Sequence, residues 1–176
     1  ANARNCTLTT IGATIWWTTP NVIAGVNDEF AWIDTIGATI TSVIPSGLYD
    51  LNGLQTAIHT QMIADASYLV NPAEVIASML LVGDNATQRV TIYLPDGPFK
   101  PTFYFNDPKC VFTLIGFPID VDPTPAAPSW TLAPERAQLN TINFFNIHST
   151  LAAQGLRVNG YWDSIIAVVY IDKLPG

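Results

Sequence analysis

The alternation of apolar and polar positions predicts β-strands along most of this chain. Short runs rich in Thr, Ile, Val and aromatic residues, bounded by Gly, Pro, Asn and Asp, are typical of strands. The clearest pair, 77–82 and 89–94, flanks the turn-forming residues 83–87 and therefore predicts a β-hairpin. The complete set of predicted strands is 6–11, 13–19, 30–33, 38–44, 77–82, 89–94, 102–105, 141–149 and 161–172.

A single segment has helical periodicity instead. Its apolar residues recur at intervals of three and four, at Leu51, Leu54, Ile58, Met62 and Ile63. This spacing predicts an amphipathic helix over 52–66, with Asn52 as the N-cap and Gln55 in the capping-box position. Gln55 and His59 then belong to its polar, wetter side. If Ile58 is fully buried, replacing it with Ala should cost about 2 to 5 kcal/mol.

A proline-rich stretch follows the middle of the chain. Residues 118–135 hold five prolines, which predicts an extended loop because proline fixes φ and cannot donate a ladder hydrogen bond. The apolar run 112–117 before it predicts a single helical turn. Together these elements predict an all-β fold class: one β-sandwich or jelly-roll-like domain over 1–176 with one amphipathic helix insertion.

The chain is rich in apolar residues and poor in charge, with 49% hydrophobic and 12% charged residues. A typical soluble domain has roughly 25% charged residues, so we expect other protein subunits to cover part of this apolar surface. The net charge is −7 and the seven basic residues are scattered, which provides no basic footprint for nucleic acid. No uninterrupted apolar stretch is long enough to span a bilayer, so direct membrane insertion is not expected.

Two cysteines and a pair of aspartates are the candidates for covalent or metal chemistry. Cys6 and Cys110 are compatible with one disulfide, two buried thiols or neither, and we expect that folding does not require them. Asp120 and Asp122 offer two carboxylates to a Ca²⁺ ion, which prefers about six to eight oxygen ligands. The chain has no C-x-x-C zinc pattern, and no cofactor is expected.

His148 and Ser149, with Asp163 further along, provide the residue types of a hydrolytic triad. Neighbouring residues on a strand point to opposite faces, so His148 cannot easily orient Ser149. No G-x-S-x-G elbow is present. A secreted β-sandwich hydrolase would need carboxylates or a triad that converge in a cleft, and no spacing here demands either. The sequence therefore predicts no catalytic residue and no enzyme.

The five tryptophans are a richer signal than any catalytic motif. Tryptophan rings pack in cores, anchor protein interfaces and stack on sugars, and all three uses stay open at this point. Trp16 and Trp17 are the candidate ligand platform. The predicted interface residues are Trp130, Trp162, Val168 and Tyr170.

The last predicted strand is apolar on both faces. Val168 and Tyr170 lie on one side, and Ile165, Ala167 and Val169 lie on the other. A strand with one face in water should alternate with polar residues, so a neighbouring subunit or the proline-rich loop is expected to cover the second face. We expect the last two strands to form the centre of the sandwich and Val168→Asp to block assembly or folding.

Five stretches occur in an order that is found in a known class of proteins. In chain order they are 44–51 (IPSGLYDL), 114–117 (LIGF), 145–149 (FNIHS), 158–160 (VNG) and 164–172 (SIIAVVYID). This order resembles coat, vertex and spike proteins of tailless icosahedral viruses with β-sandwich capsid proteins, including internal-membrane phages. The resemblance covers roughly residues 40–172 and leaves 1–40 as an N-terminal arm, extra strands or a partner-binding segment.

The resemblance implies a structural virion protein that forms symmetric homo-oligomers without an active site or a cofactor. A double jelly roll needs a longer chain, so a vertex or spike component fits the size better than a major coat protein. The implied location is the virion, after synthesis in the host cytoplasm, and the implied partners are further copies and other capsid proteins. The alternative function is a carbohydrate- or receptor-binding β-sandwich that uses exposed Trp to bind a host glycan or receptor.

Overall fold

The fold comes from a computed structural model that describes residues 20–34, 36–66 and 71–139, together with the backbone of four later strands. The helices are α1 (Leu51–Ala66), α2 (Pro72–Ser78) and a 3₁₀ helix (Val111–Ile115). The strands are β1 (Glu29–Ile33), β2 (Thr39–Val43), β3 (Leu80–Asp84), β4 (Arg89–Leu94), β5 (Thr102–Tyr104), β6 (Ser129–Leu132), β7 (Phe144–His148), β8 (Arg157–Val158), β9 (Tyr161–Trp162) and β10 (Ile165–Tyr170). Among the described residues, no helix combines the length and the apolar character needed to cross a bilayer.

Strands β2, β1 and β5, in that order, form an antiparallel sheet that we call sheet A. Each of them lies where the alternation predicted a strand, with ends that differ by at most one residue. Phe30, Trp32 and Phe103 face the interior and have no exposed surface, whereas the residues between them in β1 are half-buried. The residues of β1 thus alternate between the core and the outer face with the period of two of a strand.

Strands β3, β4 and β6 form a second antiparallel sheet, sheet B. The predicted hairpin is confirmed, because β3 pairs with β4 from Leu80 opposite Tyr93 to Asp84 opposite Arg89. Its inward side chains are buried, and they are Leu81, Val90, Ile92 and Leu94.

Strand β6 corrects the prediction of an uninterrupted loop over 118–135. It lies inside that range and pairs with β4, with Trp130 opposite Tyr93 and Thr131 opposite Ile92. Residues 129–133 contain no proline, so their N–H groups can join a ladder, and the sheet edge tolerates prolines beside it. The predicted loop is irregular chain on both sides of β6, over 118–128 and 133–135.

Helix α1 confirms the predicted helical phase but corrects its start. Asp50, rather than Asn52, caps it, since Oδ1 of Asp50 accepts the N–H of Gly53 at 2.6 Å and aspartate is as good an N-cap as asparagine. Gln55 closes no capping box, because its Oε1 accepts the N–H of Leu81 at 2.6 Å and so connects the helix to β3. The predicted buried face has no exposed surface, and it consists of Leu54, Ile58 and Met62.

The described chain is mostly sheet, as predicted, but α2 adds a second helix where one was expected, and the strand predicted over 77–82 begins only at Leu80. Asn71 caps α2, and its Oδ1 accepts the N–H of Ala73 at 3.0 Å. Pro72 occupies the first turn, where its fixed φ favours a helix and its missing N–H is not needed. These local start signals outweigh the β-propensity of the residues that follow.

Both sheets, both α-helices and the 3₁₀ helix contribute to one hydrophobic core. Phe112 packs edge-on against Phe30, with ring centroids 6.1 Å apart. Phe103 and Phe105 contact Phe112 in the same way, each at 5.4 Å. Such pairs add about 0.5 to 1.5 kcal/mol beyond the burial of their area. The described elements are thus held around a shared aromatic centre.

The four later strands pair in two separate ladders. β7 pairs antiparallel with β10, with Asn146 opposite Val168, and β8 pairs with β9. Strands are therefore present in both predicted ranges, 141–149 and 161–172, and the second range is divided into β9 and β10. In the described pairings β7 and β10 join neither sheet A nor sheet B. These pairings therefore do not support the prediction that the last two strands form the centre of the sandwich.

Other parts of the sequence prediction lie outside the described residues. These are the strands predicted over 6–11 and 13–19 and the orientation of the Val168 and Tyr170 side chains. The expected effect of Val168→Asp therefore stays a prediction.

Gly116 ends the 3₁₀ helix in the left-handed conformation, with φ of 93°. A Cβ atom at this position would lie against the backbone of Glu135, 2.8 Å from its carbonyl carbon. The N–H of Glu135 also donates to the carbonyl of Gly116 at 3.1 Å. This close approach joins the 3₁₀ helix to the segment after β6, and it requires glycine.

We expect Gly116→Ala to lower the free energy of unfolding by about 1 to 3 kcal/mol more than Gly37→Ala does. Gly37 also has a positive φ, 83°, so both substitutions incur the left-handed cost of about 1 to 2 kcal/mol. Nothing lies within 4 Å of a Cβ built at Gly37, so the difference isolates the contact with Glu135. Urea denaturation of both variants measures it, and equal losses would contradict the close approach.

Candidate interaction surface

One face of sheet B is apolar although it is exposed. The outer face of sheet B, as we use the term, comprises two cross-strand rows: Leu80, Tyr93 and Trp130, then Val82, Thr91 and Leu132. The rows share a face because residues two apart on a strand point the same way. Trp130 is 64% exposed and Leu132 is 54% exposed. An apolar surface of this kind marks a contact site.

An aromatic pair lies at the centre of this face. The rings of Tyr93 and Trp130, directly opposite each other on β4 and β6, are stacked with centroids 4.0 Å apart and planes inclined by 22°. A cross-strand pair of this kind stabilises the sheet by about 0.2 to 1 kcal/mol. The pair leaves much of the indole surface of Trp130 open to a partner.

Strand β6 has the reverse of the usual pattern, with its polar residues inward and its apolar residues outward. Trp130 and Leu132 are exposed, whereas Thr131 is opposite the buried Ile92. Among the described residues, Oγ1 of Thr131 is buried without a hydrogen-bond partner. A buried unpaired polar group costs about 1 to 3 kcal/mol, so the unpaired hydroxyl of Thr131 lowers the free energy of unfolding by a comparable amount.

The outer face of sheet A has the opposite character. It carries threonines on both edge strands, in the rows Thr41, Ala31 and Tyr104, then Thr39, Ile33 and Thr102. Small polar side chains of this kind suit a sheet face that stays in water. The next row pairs Glu29 with Val43, which is 48% exposed. The outer face of sheet A therefore mixes polar and apolar residues, whereas that of sheet B is mainly apolar.

Charged residues lie beyond the end of the outer face of sheet B. The next row consists of Asp84 on β3 opposite Arg89 on β4, and the six residues of the face include no charged side chain. Depletion of charge in the centre, with charge at the margin, is typical of the core and rim of a protein interface.

The two candidate calcium ligands do not form a complete metal site with other described residues. Asp120 and Asp122 are both exposed, in the irregular chain that follows the 3₁₀ helix. Among the described residues, no three His, Cys, Asp or Glu side chains come together in a group that could hold a metal ion. Two carboxylates supply too few of the oxygens that Ca²⁺ prefers.

His59 is buried, which contradicts the prediction of a wetter position on the polar side of α1. Only 6% of its surface is exposed, because Met79, just before β3, covers this side of the helix. Nε2 of His59 lies 3.0 Å from the carbonyl oxygen of Met79. A carbonyl only accepts, so Nε2 carries the proton of a neutral ring.

Burial lowers the pKa of His59, and the hydrogen bond to Met79 opposes this only in part. In the unfolded chain the ring binds a proton near its ordinary pKa of about 6.5, whereas the folded chain binds it only at lower pH. We therefore expect the free energy of unfolding to fall as the pH decreases below about 6.5. His59→Gln, which keeps a donor for Met79, should remove this part of the pH dependence in urea denaturation between pH 5 and 8. An unchanged profile would contradict the burial of a neutral ring.

Cys110 is also buried, in the core beside the 3₁₀ helix. Desolvation raises the pKa of its thiol to about 11, so the reactive thiolate is scarce at neutral pH. Cys6 lies outside the described residues. The arrangement around Cys110 favours a packing role over a nucleophilic one.

The tryptophans divide between core and surface. Trp32 has no exposed surface, and its Nε1 donates to Oγ of Ser42 at 3.0 Å. Trp130, a predicted interface residue, is exposed in the outer face of sheet B. The predicted positions that lie outside the described side chains are Trp16, Trp17, Trp162, Val168 and Tyr170.

The triad residue types are not brought together in the described part of the chain. His148 is the last residue of β7, but its side chain is outside the description, as are Ser149 and Asp163.

Sequence reasoning missed most of the outer face of sheet B. Leu80, Val82, Tyr93 and Leu132 were assigned to strands or to the proline-rich loop without a functional role. A signal was present, because Leu80, Leu81 and Val82 are apolar without alternation. A strand with one face in water should alternate with polar residues, and this argument, which predicted that both faces of 165–171 are covered, applies to β3 as well.

Comparison of this chain with protein-family models, with curated proteins and with solved structures finds no match.

Proposed function

We propose that this chain is a structural protein that works by self-association and buries the outer face of sheet B against a second copy of itself. The observation that carries the proposal is the reversed pattern of β6, which turns Trp130 and Leu132 toward solvent and Thr131 inward. A sheet face that stays in water favours the opposite arrangement. Coverage of this face by a partner would remove the exposed side chains of Trp130 and Leu132 from water.

The composition supports another copy of the chain as the partner. Charged residues make up only 12% of the whole chain, and permanent homo-oligomeric interfaces are apolar and depleted in Lys, Glu and Asp. Because the outer face of sheet B lacks charge, a contact through it opposes no like charges directly, and salt screens the remaining repulsion between two chains of net charge −7. A two-fold contact would place the same face of both copies together.

The finer architecture is part of the proposal: sheets A and B are the two layers of a β-sandwich of jelly-roll type. Its support is that the inward residues of both sheets, such as Trp32 in sheet A and Ile92 in sheet B, belong to the same core. A sandwich of this kind leaves one outer face per sheet, and the two outer faces here differ in polarity.

The setting of this function, as a vertex or spike component of a virion beside other capsid proteins, is supported by the resemblance of the short motifs alone. Electron microscopy of assemblies formed by the purified protein tests it. Closed particles or rings of one symmetry are expected, and irregular aggregates would contradict a capsid role.

Light scattering over a range of protein concentrations tests self-association directly. We expect a mass that is an integer multiple of the chain mass and that persists on dilution, because obligate interfaces do not dissociate readily. A monomer at every concentration would overturn the proposal.

Binding of a carbohydrate is the second candidate, and the stacked pair of Tyr93 and Trp130 favours it. An exposed aromatic ring provides a flat apolar platform, and the hydroxyl of Thr91 lies on the same face. Titration of soluble oligosaccharides, followed by tryptophan fluorescence, distinguishes the two functions. A saturable change that Trp130→Ala abolishes would favour carbohydrate binding, whereas self-association predicts no such change.

A further inference from the structure

A cleft of about 930 Å³ opens between the start of α1, the β3–β4 turn and the segment after β6. Arg89 and Arg136 both line it. The backbone holds them near each other, because the N–H of Ala137 donates to the carbonyl of Gln88 at 2.9 Å, beyond the end of the β4–β6 ladder. Two of the seven basic residues of an acidic chain therefore share one cleft.

The carboxylates that line the cleft are already hydrogen-bonded. Oδ1 of Asp50 accepts the N–H of Gly53 at 2.6 Å and so caps α1. Asp84 accepts the N–H of Ala86 at 2.9 Å and the hydroxyl of Thr87 at 2.7 Å. The bond from Thr87, followed by that from Ala86, holds the pKa of Asp84 below its ordinary value. Both carboxylates thus serve their local turns while each keeps its negative charge, so an anion has to bind close to the arginines and away from Asp50 and Asp84.

Among the described residues, neither guanidinium group has a comparable partner. In the described part of the chain, ion pairs join Lys100 to Asp96 and Lys109 to Glu29, and neither cleft arginine takes part in one. Arg89 is opposite Asp84 in the ladder, but Asp84 bonds to its own turn. A guanidinium group presents its donors in a planar fork that matches the oxygens of carboxylate and phosphate groups.

We propose that this cleft binds a small anion through Arg89 and Arg136, and that the ligand offers a phosphate or carboxylate group. The side-chain amides of Asn52 and Gln138 line the same cleft and can add neutral donors. Neither arginine is one of the six residues of the outer face of sheet B, although Arg89 lies in the row next to it, so self-association is measured by light scattering on the same variants.

Calorimetric titration of the whole chain with sodium phosphate, in a phosphate-free buffer at constant ionic strength, tests the proposal. For the wild-type chain, the heat of binding is expected to reach saturation as the phosphate concentration increases. Arg89→Gln and Arg136→Gln should each weaken the affinity about tenfold or more, because each removes charge-assisted hydrogen bonds. Lys100→Gln is the matched control: it removes one positive charge outside the cleft and should leave the affinity unchanged.

A second titration with citrate separates the two ligand chemistries, and saturable binding of either anion that depends on the arginines supports the proposal. It is overturned if neither anion binds saturably, or if the double variant Arg89→Gln, Arg136→Gln binds as well as the wild type. It is also overturned if the arginine variants are far less stable than Lys100→Gln in chloride buffer alone. That result would show that a carboxylate of the chain itself fills the cleft.

Discussion

Leu132→Asp is expected to abolish self-association while the chain still folds. Leu132 lies in the outer face of sheet B and is 54% exposed in the single chain, so a carboxylate there is solvated as long as the chain is alone. In the proposed contact it would be buried without a partner, at a cost of about 3 to 5 kcal/mol. That corresponds to a loss of roughly two to four orders of magnitude in affinity. Light scattering measures the change in mass.

The matched control is Thr41→Asp, which places the same charge on the outer face of sheet A. Thr41 is an exposed residue of an edge strand, as Leu132 is, so both variants carry a similar cost in strand propensity. Circular dichroism shows whether each variant is folded. Val82→Asp, on the other edge strand of sheet B, should act as Leu132→Asp does. If Thr41→Asp dissociates the assembly and the two sheet B variants do not, the contact lies elsewhere.

Ile58→Ala should lower the free energy of unfolding by about 2 to 5 kcal/mol. Ile58 has no exposed surface, and its removal leaves a cavity between α1 and the rest of the core that rigid packing fills only in part. Alanine keeps the helix propensity high, so the loss reports packing rather than the helix itself. Urea denaturation measures it as a shift of the midpoint at constant slope.

Ile63→Ala is the control for this helix, with the same chemical change at a residue that is only partly buried. It should cost clearly less than Ile58→Ala, because less apolar area is lost from the core. Equal costs for the two variants would show that the assigned phase of α1 is wrong. A cost near zero for Ile58→Ala would exclude its burial in the chain.

The elements that were predicted correctly are those whose residue pattern lies within one continuous segment. β1, β2, the strands of the β3–β4 hairpin and α1 were each predicted from residue type and spacing within one short segment, and for α1 the spacing also gave the buried face. α2 is only seven residues long, which is too short to show a helical periodicity. Its only local signal is the helix start at Asn71 and Pro72. Strand β6 depends on pairing with β4, a distant partner that no local pattern specifies.

The candidate site was predicted only in part for the same reason. Trp130 was predicted as an interface residue from its type, and it lies in the outer face of sheet B. Tyr93 and Leu132 join Trp130 on that face only because of the pairing between β4 and β6. Arg89 and Arg136 looked like scattered charges in the sequence, and they meet in one cleft through the same pairing.

The sequence by itself determined the β-rich character of the chain, the buried face of α1 and the deficit of charge. These properties depend on residue type and on spacing along a single element, which are local. The tertiary structure alone decided which apolar residues face outward. In a sheet the direction of each side chain depends on the register, and a slip of one residue turns Trp130 and Leu132 inward and Thr131 outward. Only the ladder between β4 and β6 settles that register, and burial of His59 against Met79 depends likewise on a neighbour that the helix pattern does not contain.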